Sequence, residues 1–522
     1  MHSESPDIVI VGGGHNGLTA AAYLALAGKR VTVLERDDHV GGAAVSMPAF
    51  PGVDARLSRY SYLVSLLPTR IIDELGLTVE LARRRYSSYT PDPAQPSTGL
   101  LVDSADPGAT ADSFDSIGAG ADLPAWLELG RDLHRAAQAL FPTMCEPLPT
   151  RSEARRLVGD DALWSELIEH PLGQMITARF GNDLVRGVIA TDGLIGTFTS
   201  VHDGSLAANR CFLYHSIGNG TGDWDVPIGG MGAVTAELER VARQAGATIL
   251  TGATVTGIDP DGTVRYRRDG QEVTLGARRV LANVAPWVLD DLLGQRPAKA
   301  TKPEGAQVKV NLLLSRLPRL LDPAVSPEAA FGGTFHINET FDQLEGAYTE
   351  AAAGRIPAPL PCEIYCHSLT DPSILSPELV QSGAQTLTVF GLHTPDRLTI
   401  ADNDAARADL QAAVLASLNS VLAEPIEALI LTDAAGQPCI ETKTTADLEA
   451  ALNLPGGDIF HGLLSWPFLD DDDPRDTAAE RWGVATRHPR ILLCGAGSRR
   501  GGGVSGLGGH NAAMAVLDDD ER

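Results

Sequence analysis

The stretch Asp7-Ile-Val-Ile-Val-Gly-Gly-Gly-His-Asn-Gly-Leu18, followed by Val31-Thr-Val-Leu-Glu-Arg36, has the order of a strand, a turn, a helix and a second strand. The apolar run at residues 8–11 is typical of a buried parallel strand, and residues 18–27 favour a helix. Between them, Gly12, Gly14 and Gly17 have the GxGxxG spacing of a dinucleotide-binding turn. The stretch therefore predicts a Rossmann-like unit that holds a diphosphate at the N-terminus of its helix.

The acidic residue that ends the second strand indicates which dinucleotide fits. Glu35 lies about 20 residues beyond the glycines, where a carboxylate accepts hydrogen bonds from both ribose hydroxyls and disfavours a 2′-phosphate. Gly41-Gly42 follows and lets the chain pass close to the same diphosphate. Glu followed shortly by Gly-Gly resembles the FAD pattern of glutathione-reductase-type flavoproteins. The FAD-binding residues predicted from this segment are Gly12, Gly14, His15, Asn16, Gly17, Glu35, Arg36, Gly41, Gly42 and Ala43.

A second glycine-rich segment lies near the other end of the sequence. Residues 490–494 favour a strand and residues 512–517 favour a helix, with a run of glycines between them. So much glycine in this setting predicts backbone wrapped on a ligand. In the flavoproteins that the chain resembles, this segment passes the ribityl chain and the flavin ring. The further predicted FAD-binding residues are Gly495, Gly497, Gly503, Val504, Gly508 and Asn511, together with Val255 from a central strand.

Length and composition set outer limits on the function. A chain of 522 residues exceeds what one core usually supports, so two domains are expected. The net charge of −26 argues against a nucleic-acid partner and against electrostatic attachment to anionic lipid. No apolar stretch approaches a membrane span, the first strand leaves no room for a secretory signal, and the six cysteines are dispersed. A cytoplasmic protein is therefore expected, with peripheral membrane contact left open.

Several internal stretches narrow the resemblance. They are Ser58-Arg-Tyr-Ser-Tyr-Leu-Val-Ser-Leu-Leu67, Ala190-Thr-Asp-Gly-Leu-Ile-Gly196, Gly222-Asp-Trp-Asp-Val-Pro-Ile-Gly-Gly-Met-Gly232 and Leu454-Pro-Gly-Gly-Asp-Ile-Phe-His-Gly462. With the glycine-rich ends, they resemble the phytoene-desaturase-like FAD-dependent oxidoreductases, in the branch of pyridine nucleotide-disulfide oxidoreductase domain-containing protein 2. The chain departs from the name of that branch, because it has no CxxC cysteine pair and no second dinucleotide motif.

The fold class expected from this resemblance is α/β, with a discontinuous FAD-binding domain and an α+β substrate domain on a mixed sheet. The FAD-binding domain is predicted to comprise residues 1–94, 226–311 and 481–522. Residues 95–225 and 312–480 mix helices, short strands and many prolines, and we assign them to the substrate domain.

Three side chains are candidates for catalysis beside a flavin. Lys309 lies in an alternating apolar strand, and the chain has few lysines, so composition does not explain it. In amine oxidases a lysine on a similar strand reaches flavin N5 through water, and the alternative for Lys309 is a lysine extending from an edge strand. His336 and His510 are candidates for proton transfer, since His510 lies in the flavin-side glycine segment, although a structural histidine is the more common case.

Five residues are expected to shape a substrate pocket. Arg59, Tyr60 and Tyr62 follow the first FAD segment, where related enzymes shape the space in front of the ring. Trp224 precedes a glycine turn and could wall the pocket, and His215 is a further polar candidate. No residues have the spacing of a metal site, and none is predicted.

The function expected from these observations is dehydrogenation or desaturation of an apolar small molecule by hydride transfer to flavin N5. With no nicotinamide motif in the sequence, oxygen or a quinone is the expected electron acceptor. A flavin amine oxidase is the alternative within enzymes, and an FAD-stabilised binding or scaffold protein without turnover is the alternative from another class. The oligomeric state stays open.

Overall fold

The computed structural model describes residues 6–295 and 298–520. Among these residues no helix combines the length and the apolar composition that crossing a bilayer requires. The strands are β1 (Ile8–Val11), β2 (Val31–Leu34), β3 (Ser46–Pro48), β4 (Arg56–Ser58), β5 (Leu81–Ala82), β6 (Tyr86–Asp92), β7 (Gln95–Asp103), β8 (Val226–Pro227), β9 (Thr248–Leu250), β10 (Thr254–Ile258), β11 (Thr263–Arg268), β12 (Gln271–Gly276), β13 (Arg279–Ala282), β14 (Val308–Leu314), β15 (Thr334–Ile337), β16 (Cys362–Tyr365), β17 (Gln385–Gly391), β18 (Ile440–Lys443) and β19 (Ile491–Leu493).

The helices connect these strands and cover the sheets. They are α1 (His15–Leu26), α2 (Thr69–Leu75), α3 (Pro107–Ser116), α4 (Leu123–Leu140), α5 (Arg151–Val158), α6 (Asp161–Trp164), α7 (Leu172–Arg179), α8 (Asp183–Thr191), α9 (Ala207–Ile217), α10 (Met231–Gln244), α11 (Pro286–Leu292), α12 (Pro327–Phe331), α13 (Phe341–Ala352), α14 (His367–Thr370), α15 (Pro377–Ser382), α16 (Asn403–Asn419), α17 (Thr445–Leu452), α18 (Ala478–Arg481) and α19 (Leu507–Asp520).

A five-stranded sheet contains the predicted Rossmann-like unit. Its strand order is β19-β13-β1-β2-β9, and every neighbouring pair is parallel. β1 lies in the middle and is buried along its whole length, as its continuous apolar run requires. Helices α1, α10 and α19 pack together on one side of this sheet, and the predicted α/β fold is confirmed.

The antiparallel sheet β10-β11-β12 shares a core with the inner residues of the parallel sheet. Val264 and Tyr266 of β11 pack in one apolar cluster with Val9 and Val11 of β1. A turn at residues 260–262 connects β10 to β11. This small sheet brings Val255 of β10 to the edge of the parallel sheet where β1 and β2 end.

A seven-stranded mixed sheet forms the second centre of the fold. Its order is β18-β14-β17-β16-β15-β6-β7, with its own apolar core. The membership of β6 corrects the predicted boundary at residues 94 and 95, because Tyr86–Asp92 pair with β7 and β15 rather than with the Rossmann-like sheet. The boundary at residues 311 and 312 likewise cuts through β14, which pairs along its whole length with β17. Local sequence cannot show such pairing, since the partners of β6 and β14 lie far along the chain.

The last helix begins earlier than the sequence predicts. α19 starts at Leu507 rather than at residue 512, so Gly508 and Gly509 lie inside it. A Cβ on Gly509 would lie 1.9 Å from the carbonyl oxygen of Asn16 in α1. Gly509 therefore allows the backbones of α19 and α1 to approach each other closely.

Candidate cofactor cavity and substrate pocket

The glycine turn between β1 and α1 is as tight as its spacing predicts. Gly12 has a φ of +99°, and a Cβ there would lie 2.6 Å from the carbonyl oxygen of Asn283. A Cβ on Gly17 would lie 2.2 Å from the carbonyl oxygen of Gly12, so Gly17 allows the helix to pack on the turn. Gly14 caps α1 without a side-chain hydrogen bond. The first N–H groups of α1 are therefore available to an anion.

Glu35 is held at the end of β2 by two backbone hydrogen bonds. Gly13 N donates to Oε2 at 2.7 Å, and Asp37 N donates to Oε1 at 2.9 Å. The residue is 9% exposed and lines the main cavity. The carboxylate thus joins the glycine turn to the β2 end and presents its remaining lone pairs to the space where a ribose would lie.

Gly41 and Gly42 lie against the glycine turn, as the sequence predicts. Gly41 N donates to the carbonyl oxygen of Gly13 at 2.9 Å, and Gly41 forms a bridge with Gly14. A Cβ on Gly42 would lie 3.2 Å from the Cα of Gly14. The two glycine segments therefore form one wall of bare backbone.

The main cavity extends from this wall between the two large sheets. Its empty space is about 1820 Å³, part of it open to solvent. The ring of His15 contacts the carbonyl oxygen of Gly503 at 3.1 Å through Nε2, so the two glycine-rich ends of the chain meet here. The predicted FAD-binding residues that line this cavity are Gly12, Gly14, His15, Asn16, Glu35, Arg36, Gly42, Ala43, Val255, Gly503 and Val504.

The other predicted FAD-binding residues support the cavity from behind or lie elsewhere. Gly17 and Gly41 shape the glycine turn but do not face the open space. Gly495 and Gly497 pack against Asn283 and Pro286. Gly508 lies within α19, under the carbonyl oxygens of Cys494 and Gly495. Asn511 is fully buried and donates to the carbonyl oxygen of Met144 at 3.3 Å. Gly495, Gly497, Gly508 and Asn511 thus do not line the main cavity, and their contact with FAD stays a prediction.

Lys309 is buried beside the cavity but does not line it. Its Nζ donates to the carbonyl oxygens of Ser58 and Ser61 at 2.7 and 2.8 Å and lies 5.1 Å from the centre of the Phe390 ring. Burial lowers the pKa of Lys309 to about 7, with Glu441 acting weakly in the opposite direction. β14 is flanked by β17 and β18, so the lysine does not extend from a sheet edge. The lysine fixes the segment that carries Tyr60 and Tyr62.

The two predicted catalytic histidines lie outside the main cavity. His510 is packed edge-on between Tyr23 and Trp482, and its Nδ1 contacts Asn511. Because α19 starts at Leu507, before the histidine, the His510 side chain lies in the core beneath this helix. This placement contradicts a direct role for His510 in catalysis. His336 lines a neighbouring cavity instead, where its Nε2 lies 3.6 Å from Glu363 Oε1.

Aromatic rings form the predicted substrate pocket. Trp224 stacks on Tyr62 with ring centres 5.8 Å apart and planes 3° apart, and on His215 at 5.0 Å and 21°. Tyr60, Tyr62, His215 and Trp224 all line the main cavity. Arg59 does not, because its guanidinium turns away and binds Glu441 at 2.5 Å. The prediction for Arg59 is therefore corrected, since alternation along an extended segment points neighbouring side chains in opposite directions.

Sequence reasoning missed several cavity residues. Asn283 follows β13 at the edge where β1 ends, and its Nδ2 donates to the carbonyl oxygen of Gly12 at 2.9 Å. Its place just after a strand that returns to the parallel sheet is a signal that could have found it. Ile195, Leu454, Phe460 and His461 lie in two of the stretches that carry the family resemblance, although no role was predicted for them. The missed residues that come from other segments and have no such signal are Tyr214, Gln307 and Leu448.

The polar groups along the cavity fit a dinucleotide. Asn16 is 1% exposed, and its Oδ1 has no hydrogen-bond partner among the described residues. His461 Nδ1 is equally unpartnered there, and burial lowers the pKa of His461 to about 4, so the ring is neutral. Together with the uncapped start of α1 and the bare glycines, these groups offer both hydrogen bonds and close backbone approach to a diphosphate.

Comparison with known proteins agrees with this geometry. The family described as NAD(P)-binding Rossmann-like domain matches residues 10–69. An uncharacterized protein of Mycobacterium tuberculosis is 57% identical over 99% of this chain and 98% of its own length. The Mus musculus protein named pyridine nucleotide-disulfide oxidoreductase domain-containing protein 2 is 29% identical over 98% of this chain and 93% of its own length. The chain belongs to the same family as the mycobacterial protein, and its similarity to the mouse protein extends over nearly the whole of its length.

Solved structures of other proteins share this fold. Cyclohexylamine oxidase from Brevibacterium oxydans aligns with a TM-score of 0.56 and 15% identity, over 99% of this chain and 100% of that chain. At this identity the likeness concerns the fold alone. It agrees with a Rossmann-like domain joined to a mixed-sheet domain, as the sequence predicts.

Proposed function

We propose that this oxidoreductase binds FAD in the main cavity and dehydrogenates or desaturates a small, largely apolar organic molecule. When bound, the flavin supplies a hydride acceptor at N5. The start of α1 and the wall formed by Gly14 and Gly42 would hold the diphosphate, and Glu35 would orient the ribose. Oxygen or a quinone is the proposed electron acceptor.

The observation that carries the proposal is the meeting of both glycine-rich ends in one cavity. His15 and Gly503 are 488 residues apart in sequence and share a hydrogen bond. A ligand long enough to contact Glu35 at one end and the Gly503 segment at the other must be extended. FAD has this shape, with its adenosine and flavin at opposite ends of the diphosphate.

The apolar character of the substrate is supported by the cavity walls near Tyr62. Leu63, Leu66, Ile195 and Phe460 line the same space as the aromatic stack, and most of the exposed wall surface is apolar. An apolar wall of this kind excludes water and positions a C–H bond by contact rather than by hydrogen bonding. Residues of the chain would thus mainly bind and orient the substrate.

A spectrum and a turnover assay test the proposal. The purified protein is expected to be yellow with a flavin spectrum, to bleach anaerobically with an oxidisable substrate, and to release peroxide in air if oxygen is the acceptor. A panel of polyenes and alkylamines probes the substrate class. Folded protein that takes up no FAD would contradict the proposal, whereas a flavin that no compound reduces would favour the scaffold alternative.

A flavin amine oxidase is the second candidate function. The parallel stack of Tyr62 and Trp224 and the buried amine of Lys309 favour it, because ring faces attract cations and a lysine near the flavin is typical of amine oxidases. A Lys309→Met variant that keeps FAD but changes neither flavin reduction nor reoxidation would remove the catalytic interpretation of Lys309.

A cytoplasmic location stays part of the proposal, supported by cysteines that are all free in the described chain.

A further inference from the structure

A second cavity adjoins the main cavity behind the aromatic stack. Tyr62, Ile195, His215 and Trp224 line both spaces, so the stack is a partition between them. The empty space of the second cavity is about 1130 Å³, part of it open to solvent. We call it the acidic chamber, after the charged part of its wall, which consists of Arg84, Asp192, His336 and Glu363.

Glu363 is anchored at the chamber wall. It is 1% exposed, accepts a hydrogen bond from the Tyr365 hydroxyl at 3.0 Å and lies 3.6 Å from His336 Nε2. His336 Nδ1 in turn contacts the hydroxyl of Thr90 at 2.9 Å. These contacts fix the position of Glu363 and leave part of its carboxylate facing the chamber.

The side chain of Asp192 lines the chamber and forms no hydrogen bond or ion pair with the described residues, although the charges of His336 and Arg84 act on it from a longer distance. Arg84 is the one arginine of the wall, and its guanidinium donates to the carbonyl oxygen of Trp224 and the hydroxyl of Thr334, both at 3.1 Å. It forms no ion pair with a carboxylate in the described chain. The chamber therefore holds an unpaired carboxyl group next to a space large enough for a ligand.

The charges around this space are unbalanced. Glu339 lies behind the wall, fully buried, and interacts with both Asp192 and Glu363. Burial and then Glu363 raise the pKa of Glu339 far above its usual range, and the same two causes raise the pKa of Asp192 to about 7. Three carboxyl groups thus lie around a wall that holds one guanidinium, and burial favours the protonated forms of Asp192 and Glu339.

We propose that the acidic chamber binds the protonated amino group of the substrate as an anchor, while the apolar body of the substrate passes the aromatic partition toward the cofactor cavity. The ammonium would donate to Asp192 and Glu363, and the rings of Tyr62 and Trp224 would add cation–π attraction. The bond that is oxidised then lies on the cofactor side of the partition, away from the nitrogen. This inference rests on the proposed function and specifies its substrate class.

Binding of an amine in this arrangement should release a proton from Asp192. An ammonium stabilises ionised Asp192, so binding near or below neutral pH releases a proton, and affinity rises as the pH increases through about 7. The charged and titratable groups that face Asp192 from the surrounding elements are Tyr62, Arg84, His134, His215, His336, Glu339, Glu363 and Tyr365.

Anaerobic calorimetry of the FAD-reconstituted protein tests the proposal with n-hexylamine as the probe and hexan-1-ol and hexanoate as comparisons. We expect hexylamine to bind best, with proton release that shows as different binding enthalpies in phosphate and Tris buffers. Asp192→Asn should weaken hexylamine binding about tenfold or more and abolish the proton release, with under about twofold change for hexanol. Glu363→Gln should also weaken hexylamine binding.

Asp223→Asn is the matched control, because Asp223 is a nearby carboxylate that pairs with Arg83 outside the chamber. It should leave hexylamine binding unchanged. Tighter binding of hexanoate than of hexylamine, or equal hexylamine affinity in wild type and a folded Asp192→Asn variant, would overturn the proposal. Because binding is read from heat and proton release, this outcome is independent of whether the flavin is ever reduced.

Discussion

At the scale of single residues, Glu35 gives the sharpest test of the cofactor site. Its two carboxylate oxygens accept backbone hydrogen bonds from Gly13 and Asp37. In Glu35→Gln the amide NH₂ must face one of these N–H donors, so the glycine turn and the ribose contact are both disturbed. We expect FAD affinity to fall about tenfold or more, measured by quenching of flavin fluorescence.

The control for this substitution is Asp38→Asn, which removes the same charge from a side chain that is 97% exposed. It should bind FAD as the wild type does. Equal affinity of Glu35→Gln and wild type would show that Glu35 does not orient the cofactor.

The second prediction at this scale concerns Lys309 and pH. The unfolded chain holds this proton up to about pH 10.4, whereas the buried amine releases it near 7, so the unfolded state binds more protons between these values. The free energy of unfolding of wild type should therefore rise with pH, relative to Lys309→Met, by up to about 1.4 kcal/mol per pH unit between about 7 and 10.

Denaturant unfolding of both proteins at pH 7, 8 and 9 measures this difference. Lys29→Met is the control, since it removes a lysine that pairs with Asp520 at the surface. Parallel pH profiles for wild type and Lys309→Met would mean that the lysine stays charged in the folded protein.

Residues close to the first glycine motif could be predicted from the sequence because local spacing fixes their positions. Gly12, Gly14 and Glu35 share one short unit whose geometry follows from the strand, turn and helix order. Tyr214 and Gln307 reach the same cavity from distant segments, and no local pattern in the sequence indicates that they meet there. His510 was placed wrongly because a glycine next to it serves helix packing rather than ligand contact.

At the scale of elements, the crossing of α1 and α19 positions the cofactor site. Gly509 allows this approach, since a Cβ there would overlap the carbonyl oxygen of Asn16. Gly509→Ala should lower the free energy of unfolding by about 1–3 kcal/mol and weaken FAD binding, because α1 must shift. Thermal melting and FAD titration measure the two effects.

Gly346→Ala is the matched control in another helix. Gly346 lies in α13, and a Cβ there would meet nothing within 4 Å. Alanine is the better helix former, so this variant should be stabilised by up to about 1 kcal/mol. If the Tm of Gly509→Ala were as high as the Tm of Gly346→Ala, this would contradict the close packing of α1 and α19.

At the scale of the whole molecule, the main cavity lies where both large sheets contribute walls. Tyr62 and Gln307 face it from segments joined to the mixed sheet, and Glu35 faces it from the parallel sheet. FAD should therefore stabilise the protein as one unit, by about 2.7 kcal/mol at a hundredfold excess over Kd. Scanning calorimetry should show a Tm that rises with FAD concentration and does not rise with NADP⁺, whose 2′-phosphate would be repelled by Glu35.

The order of the parallel sheet has a consequence for how the protein is made. β1 is translated first, yet its neighbour β13 comes from residues 279–282, and the edge strand β19 and the helix packed on α1 come from residues 491–520. A ribosome adds about 5–20 residues per second, so the first motif waits tens of seconds for its partners. During that interval a nascent chain should neither fluoresce as a flavoprotein complex nor resist protease at its glycine turn, and both properties should arise together once residues 491–520 have left the ribosome.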